Sequence, residues 1–160
     1  MLMPKTIESD EPCVRCIFHP MMYSEHKRSL KREALLPAKN KREVLLLRLR
    51  YTTQEFCINH GKTLQMKGNT FCCLATITKI DIEEVDTGDG VSCNLRYAPM
   101  HKGEYVGEQA VYADDPNVDL PMHADMIYNQ PLEEGSVQTR MRKYASQLIK
   151  RMKVIYQVTA

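Results

Sequence analysis

The chain has 160 residues, a length that fits one ordinary domain and can bury a core without disulfide or metal staples. Hydrophobic residues make up 43% and charged residues 26%, with only 7 Gly and 8 Pro, which excludes a disordered or low-complexity chain. The net charge of +2 hides a segregation: residues 1–79 carry 14 Lys and Arg against 7 acids, residues 80–134 carry 2 against 13, and residues 135–160 carry 6 against none.

In chain order, residues 1–11 read as a loose N-terminal tail, and residues 12–160 as a single α+β domain. Cys13 to His19 is a strand by its β-branched and aromatic members, and Pro20 ends it. Met21 to Asn40 is basic, with room for a short helix around Ser29 to Leu35 before Pro37. Glu43 to Tyr51 is the clearest strand. Its run Val44-Leu45-Leu46-Leu47 predicts burial on both faces. Thr52 and Glu55 have capping-box spacing, so a helix begins there, and Gly61 should lie at or near its end. Thr70 to Lys79 is a further strand, Ile80 to Asp86 a short helical turn, and Asp86 to Gly90 a turn by its Gly and Asp content. Val91 to Tyr97 and His123 to Tyr128 complete the strands, with an irregular stretch between them. Val137, Met141, Tyr144, Ala145, Leu148, Ile149 and Met152 recur at helical spacing behind Ser136 as N-cap, an amphipathic helix to be laid on the sheet. The expected fold is therefore α+β: a mixed or antiparallel sheet, a helix after the second strand, and the C-terminal helix packed on it.

The start of the chain lacks the apolar core of a signal peptide, and no apolar run approaches a membrane span. Six cysteines with no sign of an oxidising compartment read as reduced and mostly buried. A cytoplasmic location and no membrane association are expected.

Four constellations have the composition of a site. Cys13, Cys16, Cys57 and His60 form two pairs with zinc-ligand spacing, although on a strand Cys13 and Cys16 point to opposite faces. Asp114, Asp115, Asp119, His123 and Asp125 offer hard oxygen ligands and one imidazole for magnesium, with Asp115 and Asp125 as the named ligands. The alternative is ordinary turn chemistry at Asp114-Asp115-Pro116-Asn117. The basic run through His26, Lys27, Arg28, Lys31, Arg32, Lys39, Lys41 and Arg42 suits an anionic ligand or simply a solvated face. Cys57 and His60, three apart on a helix, have the spacing of a nucleophile and its base.

Several short segments resemble, in their order, a family of small uncharacterised prokaryotic proteins. They are Lys31-Arg32-Glu33-Ala34-Leu35-Leu36-Pro37, a strand Glu43 to Arg48 ending in Arg, Gly68-Asn69-Thr70-Phe71, Pro121-Met122-His123-Ala124, and the final helix. An arginine that the pattern has in its third strand is missing here, where Cys72, Cys73 and Leu74 stand. The resemblance implies that Lys31, Arg48 and His123 converge on one site, and it brings no activity with it.

Two functions from different classes follow. The first is an accessory binding protein that docks on a protein partner or a second copy, with phage defence as one prokaryotic setting. The second is an enzyme acting on a phosphorylated or nucleotide substrate, with Lys31 and Arg48 on the phosphate and His123 as general acid or base. A nucleic-acid binder using the basic segment and the last helix is a third reading.

Overall fold

The structure, a computed structural model, describes residues 1–129 and 135–159, leaving out the side chains of 135–137. Ser136 as N-cap and Val137 as the first apolar position therefore lie outside the described side chains. The elements in order are β1 (Cys13–His19), β2 (Tyr23–Ser24), β3 (Ser29–Leu30), β4 (Glu43–Arg48), α1 (Gln54–Leu64), β5 (Thr70–Ile77), α2 (Lys79–Glu84), β6 (Cys93–Tyr97), β7 (Met100–His101), β8 (Glu104–Tyr105), β9 (His123–Tyr128), α3 (Gly135–Leu148) and β10 (Lys153–Gln157). Six strands form one sheet in the order β10-β5-β1-β4-β9-β6, and each of these pairings is antiparallel. The fold is α+β, with the C-terminal helix packed on the sheet. Among the described residues no helix is long and apolar enough to cross a membrane.

Period-two alternation sorts the central strands into two faces. Val44 and Leu46 of β4, and Ala124, Met126 and Tyr128 of β9, pack under Met141, Tyr144, Ala145 and Leu148 of α3. Their neighbours Leu45, Leu47, His123 and Asp125 therefore belong to the opposite face. There Val14, Cys16 and Leu47 share a second core with Cys57 of α1. Buried hydroxyls on the α3 side are satisfied: Tyr128 donates to the Leu35 carbonyl (2.5 Å) and Tyr144 to that of Ile82 (3.2 Å).

Four local expectations need correction. The segment read as a helix at Ser29 to Leu35 is a strand residue pair followed by a 3-10 turn at Arg32–Leu35. The cap of α1 is Thr53, whose hydroxyl accepts from Phe56 N at 3.0 Å, one residue later than the capping-box spacing indicated. Gly61, by contrast, lies near the end of α1 as expected, and it is buried because the Phe71 ring lies where a Cβ would sit. The C-terminal helix ends earlier than its apolar pattern indicated, at Leu148, with Ile149 in a 3-10 turn at Ile149–Arg151 and an unforeseen edge strand, β10, after Met152. Lastly, residues 1–11 are not loose. Met3 N donates to the Val111 carbonyl and Ala113 N to that of Met1, both at 2.8 Å, and Met3, Ile7 and Glu11 are buried.

The charge blocks meet in space. Arg151 pairs with Glu84, Lys143 Nζ lies 3.5 Å from Asp89, and Arg140 donates to the Asp89 carbonyl at 3.0 Å. Part of the acidic middle is thus laid against the basic C-terminal segment. These contacts are surface pairs, individually worth about 0–1 kcal/mol.

Candidate functional site

The three residues expected to converge do not. Arg48 closes β4 with its side chain wholly buried. Its guanidinium donates to both Glu11 oxygens (2.7 and 3.1 Å), to the Thr6 carbonyl (3.1 Å) and to the Pro4 carbonyl. The Tyr51 and Tyr97 rings flank it at 4.5 and 5.4 Å. With its donors directed into the protein, it is the fastener of the N-terminal segment and has nothing to offer a phosphate. Lys31 donates to the Pro20 carbonyl (3.1 Å) and lines a cavity with His19 and Tyr23, whereas His123 lines another.

The metal readings fare no better. Cys13 packs in the core under α3, while Cys16 packs in the core under α1 and donates to the Cys57 carbonyl at 3.7 Å. Burial pushes the thiols of Cys13 and Cys16 up to about 12 and that of Cys57 to about 11, the reverse of an activated nucleophile. Asp115 is a turn residue that accepts from Asn117 N at 2.9 Å, as ordinary turn chemistry requires, and Asp125 lies on β9 beside Arg96. Among the described residues no group of three or more His, Cys, Asp or Glu is placed to hold a metal ion.

What the fold does assemble is a cleft of about 480 Å³ between α1 and the segment 100–120, over the β1–β4 part of the sheet. This volume falls in the range of small-ligand sites. Val14, Leu45 and Leu47 belong to its strands, Phe56, His60 and Leu64 to α1, and Met100 and Leu120 to the far side. The expectation that Leu45 is buried is overturned here: it is 47% exposed in the middle of β4, whereas Leu46 beside it is 1% exposed. α1 lies over β1 and β5 and leaves this part of β4 uncovered.

The polar groups of the cleft are His60, His123, Asp119, Thr63 and Arg15. His123 is 2% exposed, and its Nδ1 sits 3.0 Å from the Ala98 carbonyl, which selects the tautomer protonated there and leaves Nε2 as an acceptor. Burial pulls its pKa down to about 4. The Ala98 carbonyl opposes the shift, and the nearby His60 and Arg15 add to it. His123 is thus neutral at neutral pH. His60 is also lowered by burial, against the pull of the Asp119 carboxylate. Arg15, lowered to about 10 by burial, remains a cation tied to the Ala34 and Leu45 carbonyls.

Asp125 behaves differently from Arg48. Its Oδ2 accepts from Arg96 (3.1 Å), while Oδ1 is buried without a hydrogen-bond partner, 3.8 Å from His123 Nδ1. Burial raises its pKa, partly offset by Arg96. An incompletely satisfied carboxylate next to a neutral imidazole marks this face of β9 as polar beyond what stability asks.

Of the site, the sequence pointed to His60, Asp119 and His123, each in a different company. It missed Leu45, Phe56, Leu64, Met100 and Leu120, because hydrophobic residues read as core unless something shows that the core stops short of them. No family profile matches the chain, and neither a curated protein nor a solved structure matches it.

Proposed function

We propose that the protein is a binding module that docks on a protein partner and receives an apolar side chain of that partner in the cleft between α1 and the segment 100–120. The observation that carries this reading is Leu45. A leucine in one of the two central strands of a six-stranded sheet stands 47% exposed, with Phe56 and Leu64 of the cleft at 37% and 50%. Exposed apolar residues that cluster around a concavity, rather than scatter singly, mark interaction sites. The six free thiols suit a cytoplasmic setting.

The test is selection of a random peptide library on the full chain, followed by competition against the variant Leu45→Gln. Enriched peptides should share one large apolar residue and should lose binding to the variant. Peptides that enrich without such an anchor, or that bind the variant equally, would defeat the reading.

A second reading draws on another place in the fold. Lys39 and Arg42, from the basic loop, line a cavity of about 770 Å³ together with Arg142 of α3. This juxtaposition of the basic segment and the last helix favours a nucleic-acid backbone as an additional ligand. Binding of an oligonucleotide should then weaken steeply with added salt, and salt-independent binding would exclude it.

A further inference from the structure

The cleft is not uniformly greasy, and its polar atoms narrow the kind of side chain it takes. His123 is a nine-tenths-buried imidazole whose Nδ1 is committed to Ala98, so the cleft presents its other nitrogen as an acceptor. A purely aliphatic occupant would strip water from that nitrogen and give nothing back, the cost that makes unpaired buried polar groups expensive. The charged groups of the cleft, Arg15 and Asp119, offset one another and are already engaged, Arg15 with the Ala34 and Leu45 carbonyls and Asp119 with Lys102 N, so a charged occupant finds no net counter-charge. The group that fits is neutral and carries a hydrogen-bond donor.

The shape narrows it further. On α1 the rings of Phe56 and His60 are stacked, 8° from parallel with centroids 6.2 Å apart, and they line the cleft together with aliphatic Val14, Leu45 and Leu47. A lining of rings and aliphatic groups is a favourable setting for a further aromatic ring. The geometry points to an aromatic side chain bearing its own N–H or O–H, tryptophan or tyrosine, presented by the partner with its donor on His123 Nε2. This rests on the reading of the cleft as a docking site and specifies its occupant. Tryptophan and tyrosine are also the residues that most often anchor protein interfaces.

The chain contains no tryptophan, so indole fluorescence reports occupancy against a dark background. The full chain is titrated with 3-methylindole and with 1-methylindole, isomers of equal size of which only the first keeps the N–H. Wild type should bind 3-methylindole about tenfold more tightly, the share of one neutral hydrogen bond. His123→Gln, which keeps an acceptor, should retain a preference. His123→Phe should bind the two isomers equally. Equal binding of both isomers by wild type, abolished in Leu45→Gln, overturns the donor assignment and leaves the apolar cleft standing. Binding of neither isomer overturns the assignment together with the docking reading beneath it.

Discussion

Two buried polar clusters lie at neighbouring positions of the same sheet, and they have been finished to different degrees. At the end of β4, Arg48 and Glu11 are both fully buried, and the guanidinium spends its donors on a carboxylate and two main-chain carbonyls. Directly across the ladder from Leu47, His123 uses one nitrogen, and two residues on, Asp125 leaves Oδ1 without a partner. Burying a polar group is costly unless it is paired, so the first arrangement is what stability selects. The second leaves hydrogen-bonding capacity that the described residues do not use. Completeness of pairing, rather than burial or charge, is what distinguishes the two clusters.

The largest effect should come from opening the finished cluster. Arg48→Met leaves the Glu11 carboxylate buried and unpaired, and should lower stability by about 3–5 kcal/mol in urea denaturation. Replacing both partners, Arg48→Met with Glu11→Leu, should recover most of that loss, because the desolvation penalty goes with the charges. A loss below about 1 kcal/mol for the single variant would mean that the N-terminal segment is not fastened by this pair, and the contrast between the clusters would fail.

The unfinished cluster should announce itself through pH. His123 has a folded-state pKa of about 4, below the ordinary 6.5 of the unfolded chain. Between these values the unfolded state binds the extra proton, so stability is complete above about pH 6.5 and declines as pH falls towards 4. The full loss is ~3 kcal/mol. The groups acting on the ring are His60, Arg15 and Asp125, and His60, also lowered, steepens the same limb. In His123→Phe the decline between pH 6.5 and 4 should shrink to the part due to His60. An unchanged slope would show the imidazole to be solvated, not buried.

How legible this contrast was from sequence depends on which forces act locally. β1, β9 and the apolar stripe of α3 follow from strand-forming composition and helical spacing, because those signals are carried by neighbouring residues in the chain. Arg48 was recognisable as a residue of note at the end of a strand, yet its partner Glu11 is 37 residues away in a segment with no periodic signal. Nothing in a polar run such as Ile7-Glu8-Ser9-Asp10-Glu11 distinguishes a tail from a segment held by one buried ion pair. The zinc spacing of Cys13, Cys16, Cys57 and His60 was undone by the strand geometry of β1, which the period of two already foretold. The cleft was hidden for the opposite reason: Leu45 looks like its neighbours, and its exposure is decided by where α1 comes to rest.

That resting place is itself testable at Gly61. A Cβ there would lie 2.6 Å from two carbons of the Phe71 ring, and the ring is hemmed in by Phe18 at 6.0 Å and Tyr156 at 6.4 Å. Gly61→Ala gains about 1 kcal/mol of helix propensity but meets an overpacking cost of about 1–3 kcal/mol. A net loss of ~1 kcal/mol is expected, and in a Phe71→Leu background the sign should turn favourable. The docked position of α1 also sets the Phe56–His60 wall, so Gly61→Ala should weaken methylindole binding even where the protein stays folded. A gain in stability in the wild-type background would place α1 further from β5 than the close approach requires.

The smallest expected effect on stability separates two adjacent leucines. Leu46→Ala empties a site that is 1% exposed under α3 and should cost about 2–5 kcal/mol. Leu45→Gln alters a side chain already half in water, so its effect on unfolding should stay within about 0.5 kcal/mol. The same substitution removes the exposed part of the apolar floor of the cleft, and binding should fall while stability does not. If Leu45→Gln instead destabilises as Leu46→Ala does, the side chain is covered in solution by the protein itself, and the open face of β4 would be an internal surface with no vacancy for a partner.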